Sequence, residues 1–177
     1  MANILRRLSL RGNKFSRNLN SSIFEIEKLT LNNKTENIIK GGHHKLHLID
    51  KGFQGIKQIG IIGWGSQAPA QYQNINDSLR SINSNITVKV GLRQNSDSYN
   101  NVLNTKGVNE CNIGEMYDVL NESDMNILLI SDSAQCQNYE KIFDAIRPGT
   151  TLGLSHGFLL GHLRNENKYF PEDINVV

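Results

Sequence analysis

The chain is poor in cysteine, proline and aromatic residues, and it has no long apolar run. Cys111 and Cys136 are the only cysteines among 177 residues, too few for a disulfide framework or a structural zinc site. No apolar stretch approaches the roughly 18–20 residues needed to span a bilayer. Nor is one sign of charge in surplus: 19 Lys and Arg stand against 17 Asp and Glu, a formal net charge of +2. That balance argues against nucleic acid or an anionic membrane as the main partner, since both require a concentrated basic face. What remains, 38% apolar and 20% charged residues, supports a soluble, reduced, single-domain protein with a folded core and leaves no room for two full enzyme domains. Asparagine is frequent, with runs at Asn32-Asn33 and Asn100-Asn101. Because it adds little to a core, that abundance reads as a coding bias that decorates loops.

Acid is missing from the start of the chain. Residues 1–22 carry Arg6, Arg7, Arg11, Lys14 and Arg17, and the first carboxylate is Glu25. A basic, Ser-bearing, acid-free start is expected of an organelle transit peptide, for plastid or mitochondrion. A solvated basic tail is the plainer alternative. A secretory core is excluded because Arg6 and Arg7 interrupt the one apolar stretch. Residues 23–57 form a weakly periodic lead-in that ends in the Gly-rich KGFQGIK. His43 and His47 fall there at i, i+4 spacing, beside His44. The spacing would suit metal ligands on a helix face, but Gly41-Gly42 discourages a rigid helix and no acid or cysteine completes a set. These are expected to be surface histidines, with no metal site.

From residue 58 the pattern becomes an alternation of strands and helices. Strands are predicted at 58–63, 86–92, 126–131, 151–155 and 174–177. Helices are predicted at 66–82, 96–106, 115–121, 135–146 and 158–164. This order specifies an α/β fold of Rossmann type, a doubly wound parallel sheet with helices on both faces, over residues 58–177. The last strand ends at Val177 without capping or turn residues, which predicts a domain truncated at its C-terminal end.

Gly63-Trp64-Gly65-Ser66-Gln67-Ala68 follows the first strand and opens the first helix, with Pro69 and Ala70 next. It matches G-x-G-x-x-G/A in the strand–turn–helix context that dinucleotide binding requires. Gly63 permits the tight turn, Gly65 lets backbone approach a pyrophosphate, and Ala68 lets the helix pack closely on the strand. Free amides and the helix dipole then hold the phosphates. The second strand ends in Arg93-Gln94-Asn95-Ser96-Asp97-Ser98, where an NAD enzyme would place an acid for the ribose 2′-OH. Arg93, with Ser96 and Ser98, suits a 2′-phosphate instead, since charge-assisted hydrogen bonds are worth about 1.5–3 kcal/mol each. Asp97 opposes this by about 2 kcal/mol at roughly 8 Å and an effective dielectric near 20. Arg93 and the two hydroxyls outweigh it, so NADPH is expected; an incidental Arg on a surface loop is the alternative.

Ser131-Asp132-Ser133-Ala134-Gln135 follows the third strand, at the carboxyl edge where Rossmann ligands sit. Its small and polar residues suit a ribose or pyrophosphate, and Asp132 or Ser133 equally suits a helix N-cap. Ser155-His156-Gly157 follows the fourth strand at the same edge, which leaves His156 open to either a catalytic or a structural role.

Taken together, QIGIIGWGSQAPAQYQN, KVGLRQNSDS, LLISDSAQCQNYEKIF and LGLSHGFLLGHL resemble the N-terminal domain of the ketol-acid reductoisomerase family, in its long plant-like form. The resemblance runs from about Gly41 to Val177. It implies reduction and isomerisation of 2-acetolactate, to 2,3-dihydroxy-isovalerate, or of 2-aceto-2-hydroxybutyrate, with NADPH and two Mg²⁺, on the path to valine and isoleucine. By that resemblance Gly63 to Ala70 form the pyrophosphate turn, Arg93, Ser96 and Ser98 hold the 2′-phosphate, Ser131 to Gln135 line the cofactor, and His156 is the active-site histidine. Ala68 stands for the family's usual Gly and Ser133 for its usual Ala, while Gln94 and Asp97 replace basic residues beside the serines. The family's Mg²⁺ ligands and an active-site Lys belong to a knotted helical domain that would follow Val177, as would its main subunit contacts. The chain by itself is therefore expected to be inactive, and a non-catalytic NADP-binding remnant is the alternative to a working cofactor domain.

Overall fold

The computed structural model describes residues 21–105 and 107–177. The chain divides into two compact units, one ending at Gln54 and one from Gly55 to Val177. The predicted transit peptide lies almost wholly outside the described residues.

The first unit contains an antiparallel hairpin of β1 (Glu27–Leu31) and β2 (Lys34–Ile38), followed by a 3₁₀ helix over His43–Leu48 and the short α1 (Ile49–Gly52). The hairpin was not predicted, yet its signal is in the sequence. Asn32 and Asn33, the two residues between the strands, both hold positive φ, 46° and 60°. A two-residue loop with φ > 0 at both positions gives the tight turn whose twist matches paired strands, and Asn tolerates that region. Every non-Gly residue with positive φ among the described residues is an Asn: 32, 33, 83, 95 and 167. The asparagines are thus more than decoration at these five positions. His43, His44 and His47 are all exposed. Three residues per turn in a 3₁₀ helix put positions 43 and 47 about 120° apart, so they share no face.

The second unit is built on β3 (Gln58–Ile62), α2 (Ala68–Ser81), β4 (Thr87–Leu92), α3 (Asp97–Leu103), β5 (Ile113–Glu115), α4 (Met116–Glu122), β6 (Met125–Leu128), α5 (Asp132–Ala145), β7 (Thr151–Leu154), α6 (Phe158–Asn165) and β8 (Asn175–Val176). Its six strands are parallel in the order β5-β4-β3-β6-β7-β8. That is the dinucleotide-fold order 3-2-1-4-5-6, with the order reversing at β3 and β6. The sequence predicted five strands; β5 is the sixth. Three residues are too few to show periodicity, and β5 exists through its pairing with Val90, Gly91 and Leu92. Its last residue, Glu115, also caps α4, its carboxylate accepting from the Tyr117 and Asp118 amides.

Both faces of β3 are buried. Ile62 packs with Met116, Val119, Leu120, Leu128, Ile142, Leu152, Leu159 and Leu163, which come from α4, α5, α6 and their strands. Ile59 and Ile61 point the other way, because strand side chains alternate, and they too are buried, as are Ala68, Tyr72 and Leu79 of α2 and Val102 of α3. Helices therefore cover both faces, as a continuous apolar parallel strand requires.

Asp124 ties the amino ends of the central strands together. Its Oδ2 accepts from the Lys57 amide (2.8 Å) and the Gln58 amide (3.2 Å), and its Oδ1 accepts from Arg147 Nη2 (3.1 Å). Arg147 also donates to the carbonyls of Asn121, Glu122 and Ser123, closing the end of α4. Burial alone would raise the Asp124 carboxyl, but the Lys57 amide, Arg147 and the Gln58 amide together hold it below its ordinary 3.8. A depressed carboxyl stabilises the fold above its unfolded value and loses that contribution as pH falls through the folded value. Asp124→Ala should therefore lower the urea midpoint at neutral pH by about 1–3 kcal/mol of stability with the slope unchanged. The gap between parent and variant should close as the pH is taken below 3.8.

Candidate functional site

A cleft of about 190 Å³ opens where three strand ends meet. The parallel ladder continues just past the strands: the Gly63 amide donates to the Gly91 carbonyl (2.9 Å) and the Leu129 amide to the Ile62 carbonyl (2.8 Å). The segments after β3, β4 and β6 are thereby held side by side. Into the cleft they contribute Gly63, Trp64 and Gly65, then Arg93, Ser96 and Ser98, then Ser131 and Ala134. Its volume is below the ~300–1,000 Å³ typical of enclosing pockets, so a long ligand would lie partly along the open sheet edge.

Gly63 sits at φ +98°, and a Cβ there would fall 2.7 Å from Ile130 Cγ2 and 2.9 Å from the Leu129 carbonyl oxygen. Only glycine fits. Gly65 differs: a Cβ would meet nothing closer than the Leu129 carbonyl oxygen at 3.6 Å, so its bareness serves the cleft rather than the fold. No hydrogen bond within the described residues uses the amides of Gly65, Ser66 or Gln67. They are orphan donors at the start of α2, where the helix dipole favours an anion. Ala68 is fully buried, and its amide closes the turn onto the Gly65 carbonyl (3.2 Å). Pro69 occupies the first turn of α2, where a missing N–H costs nothing, and Ala70 follows it on the exposed side. Trp64 meets Tyr72 edge-on, with centroids 5.7 Å apart. Tyr72 is buried, which pushes its phenol up, and its hydroxyl donates to the Gly107 carbonyl.

At the end of β4 the chain turns through Asn95, and the Ser96 amide returns to the Arg93 carbonyl (3.3 Å). Arg93 is exposed at the cleft and forms no ion pair among the described residues. The Ser96 hydroxyl is buried without a hydrogen-bond partner. Asn126 Oδ1 is the other such buried atom among the described residues, and of the two only Ser96 lines the cleft. Asp97 does not line the cleft; it heads the first turn of α3.

The segment after β6 divides its labour. Ser131 lines the cleft and also caps α5, its Oγ accepting from the Ala134 amide (3.3 Å). Gln135 turns inward, buried, and donates to the Ile130 carbonyl. Ser133 is exposed and accepts from Gln137. Asp132 faces another partner: its Oδ1 lies 3.3 Å from Nε2 of His156, whose Nδ1 accepts from the Phe158 amide (3.3 Å). The helix begins at Asp132, three residues before the predicted start, because Ser131 rather than a later residue is its cap.

A family model described as acetohydroxy acid isomeroreductase, NADPH-binding domain, matches residues 54–177. The chain belongs to this family. It is 50% identical over 159 residues to the chloroplastic ketol-acid reductoisomerase of Spinacia oleracea, covering 89% of this chain and 27% of that protein. With the chloroplastic ketol-acid reductoisomerase of Pisum sativum it shares 48% over 158 residues, covering 89% of this chain and 27% of the relative. The chain thus spans about a quarter of the length of these curated relatives. A solved structure of an NADH-preferring ketol-acid reductoisomerase from an uncultured archean superposes with a TM-score of 0.52 at 26% identity, over 68% of this chain and 34% of that one. Ketol-acid reductoisomerases are oxidoreductases, and the matched part is their NADPH-binding domain.

Sequence reasoning missed Gly91, Leu92, Met116, Leu129, Ile130 and Asn138 as cleft residues. Four belong to predicted strands, whose ends could have been counted. Met116 and Asn138 come from helices that approach the edge from the side, and no motif marks them. Asn138 is held by the Ala134 carbonyl and the Tyr117 hydroxyl.

The two glycines of the turn should separate in stability. Gly63→Ala should cost about 1–3 kcal/mol from backbone strain and close contact, a fall of about 2–10 °C in the thermal midpoint. Gly65→Ala should stay within about 0.5 kcal/mol of the parent by the same measurement.

Proposed function

We propose that this chain is the cofactor-holding part of a plastid ketol-acid reductoisomerase that converts 2-acetolactate to 2,3-dihydroxy-isovalerate, and acts likewise on 2-aceto-2-hydroxybutyrate, with NADPH and Mg²⁺. The observation that carries the cofactor assignment is the buried, unpartnered Ser96 hydroxyl in a cleft that also holds the free Arg93 guanidinium and the bare turn at Gly63 and Gly65. In this reading the amides of Gly65 to Gln67 take the pyrophosphate, Arg93, Ser96 and Ser98 take the 2′-phosphate, and Ser131 and Ala134 border the ribose. Bound NADPH supplies the hydride. The chain's own part is to bind and orient it through backbone donors and one guanidinium, with His156 near the substrate end.

Mg²⁺ has a different standing. Among the described residues no three of His, Cys, Asp and Glu gather as metal ligands, so no step through the metal falls to them. The plastid assignment draws on the acid-free N-terminus and the chloroplastic names of the plant relatives.

Trp64 is the single tryptophan and stands in the cleft, so its fluorescence should report cofactor binding. Arg93→Ala should raise the Kd for NADPH about tenfold, the loss of roughly 1.4 kcal/mol expected of one exposed charge-assisted contact, and leave NADH within about twofold. Equal NADPH affinity in parent and variant would remove the 2′-phosphate assignment. Gly65→Ala should weaken both cofactors alike while sparing the fold.

A further inference from the structure

Asp132 lies between two cleft residues in sequence, Ser131 and Ala134, yet it does not line the cleft. Its carboxylate instead meets His156 across the gap between the starts of α5 and α6. Both ring nitrogens of His156 are engaged. Nδ1 accepts from the Phe158 amide, which in the neutral ring leaves the N–H on Nε2, where it donates a hydrogen bond to Asp132 Oδ1. Phe158 holds the ring on a third side, edge-on at 6.3 Å, and itself stacks on His162 at 6.2 Å with planes 5° apart. The other carboxylate oxygen of Asp132 has no hydrogen-bond partner among the described residues, and side-chain exposure is about half for both residues, 53% for Asp132 and 49% for His156. The pair is open to solvent next to Ser131, and neither residue lines the cleft itself.

We infer that Asp132 is the positioning residue of His156: it fixes the imidazole as the Nε2–H tautomer and sets its plane beside the cofactor cleft. This rests on the reading of His156 as the substrate-side histidine. The Phe158 amide alone, at 3.3 Å and on a half-exposed ring, is one weak anchor and leaves the ring free to rotate about it. The carboxylate supplies the second anchor, and two anchors define a plane. The bond is one between a charged acceptor and a neutral donor, stronger than its amide counterpart but discounted here by solvent.

Long-range proton–nitrogen NMR of the imidazoles in the 177-residue chain tests this, near pH 8 where histidines are neutral, with His156 assigned through His156→Gln. The parent should show His156 almost wholly as Nε2–H. Asp132→Ala should raise the Nδ1–H form about fivefold, and Asp132→Asn, whose amide oxygen still accepts, about twofold. NADPH affinity should stay within about twofold in both, because Asp132 is outside the cradle. Ring signals identical in the parent and both variants would overturn the proposal, as would an Asp132→Asn variant no nearer the parent than Asp132→Ala. A tenfold loss of NADPH affinity with His156 unmoved would also overturn it, assigning the carboxylate to the cofactor instead. A parent that binds no NADPH would sink the cofactor reading and leave the tautomer result standing.

Discussion

Everything at the candidate site follows from β3 pairing in parallel with β4 on one side and β6 on the other. The three strands are in register, and the ladder runs on past their ends through the Gly63 and Leu129 amides. Parallel pairing obliges all three exits to lie at one edge, and the reversal of strand order at β3 and β6 parts the helices above it. No side chain builds that gap; the topology does. What the side chains decide is whether it stays open, and Gly63 is the critical one, because any Cβ there would strike the Leu129 carbonyl. At the opposite end Asp124 bonds the amides of Lys57 and Gln58 while Arg147 spans back to the end of α4. The sheet is clamped where it enters and bare where it leaves.

The parts legible in sequence are those that repeat or that need a particular residue. The strands of the central sheet stand out because burial on both faces makes them unbroken apolar runs, and the turn at 63–68 because each small residue has a steric duty. Element ends drift by up to three residues, at the ends of β6 and α3 and at the start of α5, where Ser131 takes the cap that Asp132 and Ser133 could equally have taken by residue type. The β5 strand and the hairpin failed for opposite reasons. At β5 there is no local signal to find, since Ile113-Gly114-Glu115 becomes a strand only against β4. At the hairpin the signal is present but masked: Asn32-Asn33 fits a biased composition as readily as it fits a two-residue turn. Single-residue conformational needs are easily hidden by a biased composition.

The cleft also separates two kinds of recognition. In the proposed reading the turn offers backbone amides that any phosphate would satisfy, whereas Arg93, Ser96 and Ser98 are the side chains that would discriminate. The first kind belongs to the strand–turn–helix geometry of the fold itself. The second lies on the turn after β4 and the first turn of α3. Asp97 heads α3 and takes no part in the ladder or the buried core, so the fold tolerates an acid beside these residues.

Charge placement at the start of α5 makes the same point from the other side. A helix N-terminus favours an anion, and α5 carries its own in Asp132, across the cleft from the α2 turn that takes the pyrophosphate in the proposed complex. Left in the cleft, the carboxylate would repel the pyrophosphate across a few ångströms of partly desolvated space, where such repulsion is several-fold stronger than in water. Turned toward His156, it keeps the favourable helix end, gains a hydrogen bond and leaves the cleft to neutral Ser131 and Ala134. Placing the histidine after β7, directly beside that turn, is thus an electrostatic solution as much as a positional one. The acid that would otherwise oppose the cofactor is the group that orients the ring.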